Sequence, residues 1–387
     1  MTDSIALPDL ILGSRNQLHL LMFDDRTRQY VAIDKNTLFD IDRHGKYTID
    51  RIARTSSYIF VVINHLDARG KHDSYLIQLN FTFEEVDRRI FQHIAALEIY
   101  REDVLISSEG DFIALKDLNP TFNILGRVGL QTWGSSKKNA HDIFIHQNIA
   151  YLLDNIEYPV FIFKVDISDL RNLQIIDRQE IIDCYIHLDA QWLNTQDSNP
   201  LWYILHSYSH RGGYGQNINI DDGSDALIRG QFHIFQNGRL NGESKISNYL
   251  DARSGTEIIA ITKTEPAWAI FQEENERVYL AKVTGNRTSI SLEKYIDLLP
   301  LMTAGLEESE RFRVQDANLL MQVKDNLLYI LLTRSNCITV EDEYGDDSIS
   351  FNEVQILVVD PQEKCNMILN HTLELERDTI RAFDFLS

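Results

Sequence analysis

Apolar residues along the chain come in short runs, many alternating with polar positions, and Asp, Asn and Gly cut the runs apart. Val, Ile, Tyr and Phe are plentiful in them, and runs of about four to eight residues read as strands rather than helices. One unit recurs. A β-prone run is followed by a connection, a second run ending in Asp, Asn or Gly, a turn, and a further run. The turn positions are Asp34, Asn80, Asp117, Asp166, Asn237, Gly285 and Asp360, successively separated by 46, 37, 49, 71, 48 and 75 residues. Preceding runs lie at Leu18–Phe23, Tyr58–Asn64, Asp103–Ser107, Asn148–Leu153, Leu201–Ser207, Ala267–Phe271 and Asn326–Leu332. Asp and Asn suit the turns because their side chains bond the backbone just downstream, and Gly because it accepts positive φ. Asn237-Gly238 is the strongest hairpin signal.

Seven copies of such a unit predict an all-β chain, a seven-bladed β-propeller with short helical insertions. Each blade is a small antiparallel sheet that buries both faces only by stacking on its neighbours. We expect one domain over residues 1–387, with blades near 8–45, 46–92, 93–135, 136–181, 182–250, 251–308 and 309–375. The C-terminal stretch 379–386 (TIRAFDFL) is then a strand that closes the ring against Leu10–Leu12. Two stretches read otherwise. Thr82-Phe83-Glu84-Glu85 has the form of a helix capping box, with Val86, Ile90, Ile94 and Leu97 following at helical spacing. Ser291–Leu299, before Pro300, reads as a second short helix.

Residues 140–176 (AHDIFIHQNIAYLLDNIEYPVFIFKVDISDLRNLQII) carry the sharpest local pattern. Asp142, Ala150-Tyr151, Val165-Asp166-Ile167-Ser168-Asp169 and Asn172 stand where the LVIVD-type β-propeller repeat has its opening Asp, its Ala-Tyr strand, its Val-Asp-Ile-Ser-Asp ending and its turn Asn. The segment resembles that repeat, with Leu173 where the repeat usually has Pro. The resemblance implies a propeller fold. It implies little about activity, because that fold hosts binding and catalysis alike.

Charge narrows the partners. With 37 Lys+Arg against 58 Asp+Glu, the net charge of −21 excludes a nucleic-acid binder, which needs a basic footprint. No apolar run approaches the roughly 18 residues of a membrane helix, and the first residues, Met1-Thr2-Asp3-Ser4-Ile5, carry no secretory pattern. Three cysteines (Cys184, Cys337, Cys365) without C-x-x-C spacing fit no disulfide scaffold or cysteine zinc site, so a cytoplasmic location is expected.

Two long connections, 209–226 and 335–350, each join the second strand of a blade to the third in this register, and long loops in compact domains tend to be functional. In the second, Glu341, Asp342, Glu343, Asp346 and Asp347 surround Tyr344. Such a segment is either a solvated, self-repelling loop or an electrostatic hook with an aromatic anchor. The first connection contributes His210, Arg211 and Tyr214. His206 and His210, placed on a strand end, lie about 13 Å apart and so do not chelate one metal. Asn217, Asn219 and Asp221 begin a calcium-like loop, but its twelfth position is Ile228 instead of Glu. No G-x-S-x-G and no Cys/His pairing stands out.

The functional expectation is a non-catalytic interaction scaffold with no cofactor. It would bind a basic protein surface through Glu341, Asp342, Glu343, Tyr344, Asp346, Asp347, His210, Arg211 and Tyr214 on one acidic, loop-rich face. The alternative expectation is a hydrolase or lyase with a carboxylate/His metal site at the mouth of the central channel.

Overall fold

The computed structural model describes residues 8–14, 17–38, 46–66, 72–116, 123–130, 140–154, 160–181, 188–194, 201–206, 231–236, 239–245, 257–262, 264, 266–272, 277–286, 289–302, 318–342, 345–362, 366–375 and 380–386. Their strands are β1 (Leu10–Ser14), β2 (Gln17–Asp24), β3 (Gln29–Thr37), β4 (Lys46–Arg54), β5 (Ile59–Leu66), β6 (His72–Leu79), β7 (Glu85–Phe91), β8 (Ile94–Tyr100), β9 (Asp103–Ser108), β10 (Asp111–Lys116), β11 (Asn123–Gly129), β12 (Asp142–His146), β13 (Ile149–Asp154) and β14 (Val160–Asp166). The chain continues through β15 (Gln174–Ile181), β16 (Leu188–Asn194), β17 (Leu201–His206), β18 (Gln231–Gln236), β19 (Arg239–Lys245), β20 (Glu257–Ile261), β21 (Trp268–Gln272), β22 (Val278–Asn286) and β23 (Ser289–Asp297). It ends with β24 (Asn318–Lys324), β25 (Leu327–Asp342), β26 (Gly345–Asp360), β27 (Asn366–Leu375) and β28 (Ala382–Phe385). Among the described residues the helix α1 (Leu299–Met302) is the only one.

These strands make seven four-stranded sheets. Six run in simple chain order, β4 to β7, β8 to β11, β12 to β15, β16 to β19, β20 to β23 and β24 to β27. The seventh has the order β28-β1-β2-β3. Leu10 pairs with Phe385 and Leu12 with Phe383. Seven up-and-down antiparallel sheets of four strands are a seven-bladed β-propeller.

Two compact units divide the contacts. One holds 1–143, 166–174 and 305–387, and the other holds 144–165 and 175–304. In the first, side chains alternate between two neighbouring sheets. Leu10 and Leu12 of β1 join Tyr329, Leu331, Ile356 and Val358, while Ile11 joins Ile49, Val61, Ile63 and Ile77. Likewise Phe60 and Val62 of β5 pack with Val104, Ile106 and Ile113, opposite to Val61 and Ile63. Every second residue therefore serves a different interface. This is why such strands read as unbroken apolar runs instead of alternating ones. The second unit holds most of β12 to β15 and all of β16 to β23; there Trp268 is buried and meets Tyr295 edge-on at 5.4 Å.

The turn chemistry acts through Asx turns after the third strand of a sheet. Asn80 Oδ1 accepts from the amides of Thr82 (3.0 Å) and Glu84 (2.9 Å), Asp166 Oδ1 from Ser168 (2.8 Å) and Asp360 Oδ1 from Gln362 (2.8 Å). Asp34 does not belong to this set, since it lies inside β3. Its place is taken by Asp24, which accepts from the Arg26 amide at 2.9 Å. These amide bonds hold the Asp24 and Asp166 carboxyls below their ordinary range. Gly285 also differs, lying within β22 opposite Ile290.

Neither expected helix forms. Residues 85–91 and 94–100 are the strands β7 and β8, and 289–297 is β23. The capping-box residues instead build the Asn80 turn, where Glu84 and Thr82 both bond Asn80. With that turn made, β7 pairs with β6 as Tyr75↔Ile90 and Ile77↔Arg88.

Candidate active site

The strand β28 reads Ala-Phe-Asp-Phe. Phe383 and Phe385 enter one core, with Phe385 meeting Tyr329 edge-on at 4.8 Å. Alternation turns Asp384 to the opposite side with Ala382, which packs among Ile11, Ile49 and Val61. A carboxyl thus occupies a position that the pattern reserves for an apolar group, and its register partner is the fully buried Ile11.

Two cations on other sheets act on its charge. Arg54 ends β4 and Lys324 ends β24, so the last residues of two first strands flank the end of a third. Each neighbour also holds the β28 backbone. Arg54 Nη1 donates to the Leu386 carbonyl at 2.8 Å, and Gln322 Nε2 donates to the Phe383 carbonyl at 2.7 Å. Lys324 is placed by the Asp325-Asn326 turn, whose residues take φ of 51° and 62°, a left-handed pair that suits tight hairpins. The Asp384 carboxyl accepts from the Phe385 amide at 2.8 Å.

Burial pushes the Asp384 carboxyl up to about 6, while the Phe385 amide, Arg54 and Lys324 hold it down. Desolvation wins because it acts on the whole charged group, whereas neither cation pairs with the carboxylate at salt-bridge distance. A partly buried acid titrating near neutrality, with cations beside it, can take a proton from a reactant and return it.

The residues expected from the sequence lie elsewhere. His210, Arg211, Tyr214, Glu343 and Tyr344 fall outside the described residues. Glu341, Asp342, Asp346 and Asp347 lie on paired strands instead of an open loop. Val340 stands opposite Asp347, Glu341 opposite Asp346, and Asp342 opposite Gly345. Residues 335–342 and 345–350 of the long connection therefore extend the β25–β26 ladder. The other long connection, 209–226, falls outside the described residues.

No three His, Cys, Asp or Glu residues among those described stand close enough together to hold a metal ion. Among the described residues, no helix is long and apolar enough to cross a membrane. Sequence reasoning missed Asp384, Arg54 and Lys324. The available signal was a lone charge inside the apolar run Ala382-Phe383-Asp384-Phe385-Leu386.

No family model matches the chain and no curated protein matches it, so the likeness of 140–176 to the LVIVD-type repeat stays a local resemblance. Solved structures match over nearly its whole length. A Bacteroides fragilis protein assigned as a 6-phosphogluconolactonase is 11% identical with a TM-score of 0.53, covering 100% of this chain and 99% of that one. The periplasmic gluconolactonase of Pseudomonas aeruginosa is 10% identical, TM-score 0.53, covering 98% and 99%. A Lactobacillus plantarum protein is 9% identical, TM-score 0.51, covering 98% and 99%. At this identity the likeness is one of fold. It corrects the expectation of a non-catalytic scaffold for a basic partner, because two full-length counterparts of this architecture bear the names of enzymes.

Proposed function

We propose that the protein is a hydrolase of lactone-type cyclic esters, with Asp384 as general base. The observation that carries this reading is the partly buried Asp384 carboxyl of β28, with Arg54 at the end of β4 and Lys324 at the end of β24 lowering the cost of its charge. Two further points support it. Sugar-acid lactones are strained, reactive esters whose opening needs a positioned base and charge stabilisation, without a nucleophilic Ser or Cys, and this chain carries no nucleophile motif. Structural counterparts over the full chain also bear lactonase names.

In this reading the ionised Asp384 takes a proton from water, and the water oxygen adds to the ring carbonyl. Arg54 and Lys324 stabilise the oxyanion. The ring C–O bond then breaks, and the departing alkoxide regains the proton from Asp384. Water and lactone give one hydroxy acid, and the base is restored. A net charge of −21 disfavours anionic substrates through the long-range field, so a neutral lactone is the substrate class.

The test is pH-stat hydrolysis of glucono-δ-lactone by the full chain and by Asp384→Asn. Loss of the base should lower kcat by about 10²-fold or more. Equal rates for the two proteins, or none above spontaneous opening, would remove this reading.

A further inference from the structure

We propose that Gln322 is a positioning residue for Asp384: by holding the carbonyl of Phe383, it fixes the backbone from which the carboxyl projects. The inference rests on the hydrolase reading for the role of Asp384, and on the hydrogen bonds around β28 for its geometry. Among the described strands β28 pairs with β1 alone, so one of its edges has no ladder. Gln322 Nε2 donates to the Phe383 carbonyl at 2.7 Å from β24, on a separate sheet. That carbonyl belongs to the peptide unit joining Phe383 to Asp384. The carboxyl is tied to the same stretch of backbone, since it accepts from the Phe385 amide at 2.8 Å. A shift of the strand therefore carries the carboxyl with it.

Apolar packing against the same neighbour does not set this position. Phe383 and Phe385 lie in one core with Tyr329 and Leu331, with Leu320 of β24 at its margin, and Phe385 meets Tyr329 edge-on at 4.8 Å. Such burial holds the strand in place but is non-directional, so small slides and twists cost little. A hydrogen bond is directional. Gln322 is the polar residue in the run Leu319-Leu320-Met321-Gln322-Val323, where Leu319 and Met321 are buried. A polar group among apolar ones needs a partner, and the Phe383 carbonyl supplies it. Arg54 makes a similar bond at Leu386, 2.8 Å long, but it also acts on the charge of Asp384. Gln322 is neutral. Its removal moves the carboxyl while leaving the charges around it in place, which separates placement from electrostatics. Placement matters steeply, because a shift of about 1 Å can cost about 10²-fold in rate.

The experiment compares the full chain with Gln322→Met, which keeps the length of the side chain and removes the donor. With glucono-δ-lactone, kcat should fall about tenfold, KM should change by less than about twofold, and the pH dependence of kcat should stay in place. Hydrogen exchange at the Phe385 amide, which reports on Asp384 without any turnover, should be faster. Gln322→Lys restores a donor at that reach and should return the Phe385 amide to its original protection. Gln322→Asn, too short to reach the carbonyl, replaces Gln322→Met where that variant does not fold. An unchanged kcat, an unchanged Phe385 amide or a rise in KM alone overturns the positioning role. Lower thermal stability with kcat intact likewise makes Gln322 a structural residue only. If the unaltered chain opens no lactone, the hydrolase reading falls, and exchange at Phe385 alone decides whether Gln322 places the carboxyl.

Discussion

Arg54 and Leu386 are joined by a 2.8 Å hydrogen bond from the guanidinium to the main-chain carbonyl, which fastens the end of β4 to the end of the strand that carries Asp384. One side chain thus anchors β28 and lowers the cost of ionising its carboxyl. Replacing it with Met should do two things. The anchor should cost about 1.5–3 kcal/mol, the range for a hydrogen bond to a charged group, read by denaturant unfolding. The Asp384 carboxyl should also titrate above its present value of about 6, read by carbon NMR of the side chain. A titration that stays put would show that the guanidinium does not act on Asp384.

The stability of the fold should carry the signature of Asp384 itself. Its folded pKa, about 6, lies above the ordinary 3.8. The stabilisation from this group is therefore complete below about pH 4 and is lost as pH rises through about 6. With each pKa unit worth about 1.4 kcal/mol, the loss at neutral pH is at most about 3 kcal/mol. Asp384→Asn should flatten that part of the profile, raising stability near pH 7 while lowering the proposed lactone opening about 10²-fold or more. A gain in stability coupled to a loss of activity separates a catalytic carboxyl from a structural one. Unfolding free energies from about pH 4 to pH 8 for both proteins decide it.

How far the sequence reached is clearest at individual residues. Asn80, Asp166 and Asp360 were legible because an Asx turn is local: the side chain bonds an amide two residues on, within any short window. Asp34 misled because the first strand of its sheet, β28, comes from the far end of the chain. The turn therefore falls one strand earlier, at Asp24. The strand pairing of 341–342 with 345–346 was hidden, since charge masks the β-branched pattern of the neighbouring sequence. Asp384 was illegible as a site because Arg54 and Lys324 reach it only through the packing of three sheets, which no window of sequence contains.

The Asn80 turn offers a check on local energetics. Its side-chain oxygen accepts two amides, from Thr82 and Glu84, and orders the turn between β6 and β7. Asn80→Ala should cost about 1 kcal/mol, with the β6–β7 register left loose at that end. Asn80→Asp keeps the acceptor and should be close to neutral. Hydrogen exchange at the Thr82 and Glu84 amides reads the effect directly. Protection that survives in Asn80→Ala would assign the turn to the backbone alone.

Two glycines should respond unequally to the same added methyl. At Gly13, in β1, a Cβ would meet Ile49 Cγ2 at 2.5 Å, Ile52 Cδ1 at 3.0 Å and Ile49 Cβ at 3.2 Å, side-chain atoms of which the Ile52 end can turn away while the buried, β-branched Ile49 must shift. At Gly126, in β11, it would run into the main-chain carbonyl oxygen of Leu170. That carbonyl has little room to yield. Leu170 sits in a turn pinned on both sides, with Asp166 Oδ1 accepting from Ser168 at 2.8 Å and Asp169 Oδ1 from Arg171 at 2.9 Å. β11 is constrained as well, since its register against β10 shifts between Ala114, opposite Gly126, and Leu115, opposite Ile124. Gly126→Ala should therefore cost about 3 kcal/mol, at the upper end for overpacking, and Gly13→Ala about 1–2 kcal/mol, because there a side chain and not the main chain gives way. Thermal unfolding of the two variants side by side measures the difference. If Gly126→Ala were as mild as Gly13→Ala, β11 would not approach the turn carrying Leu170 as closely as described.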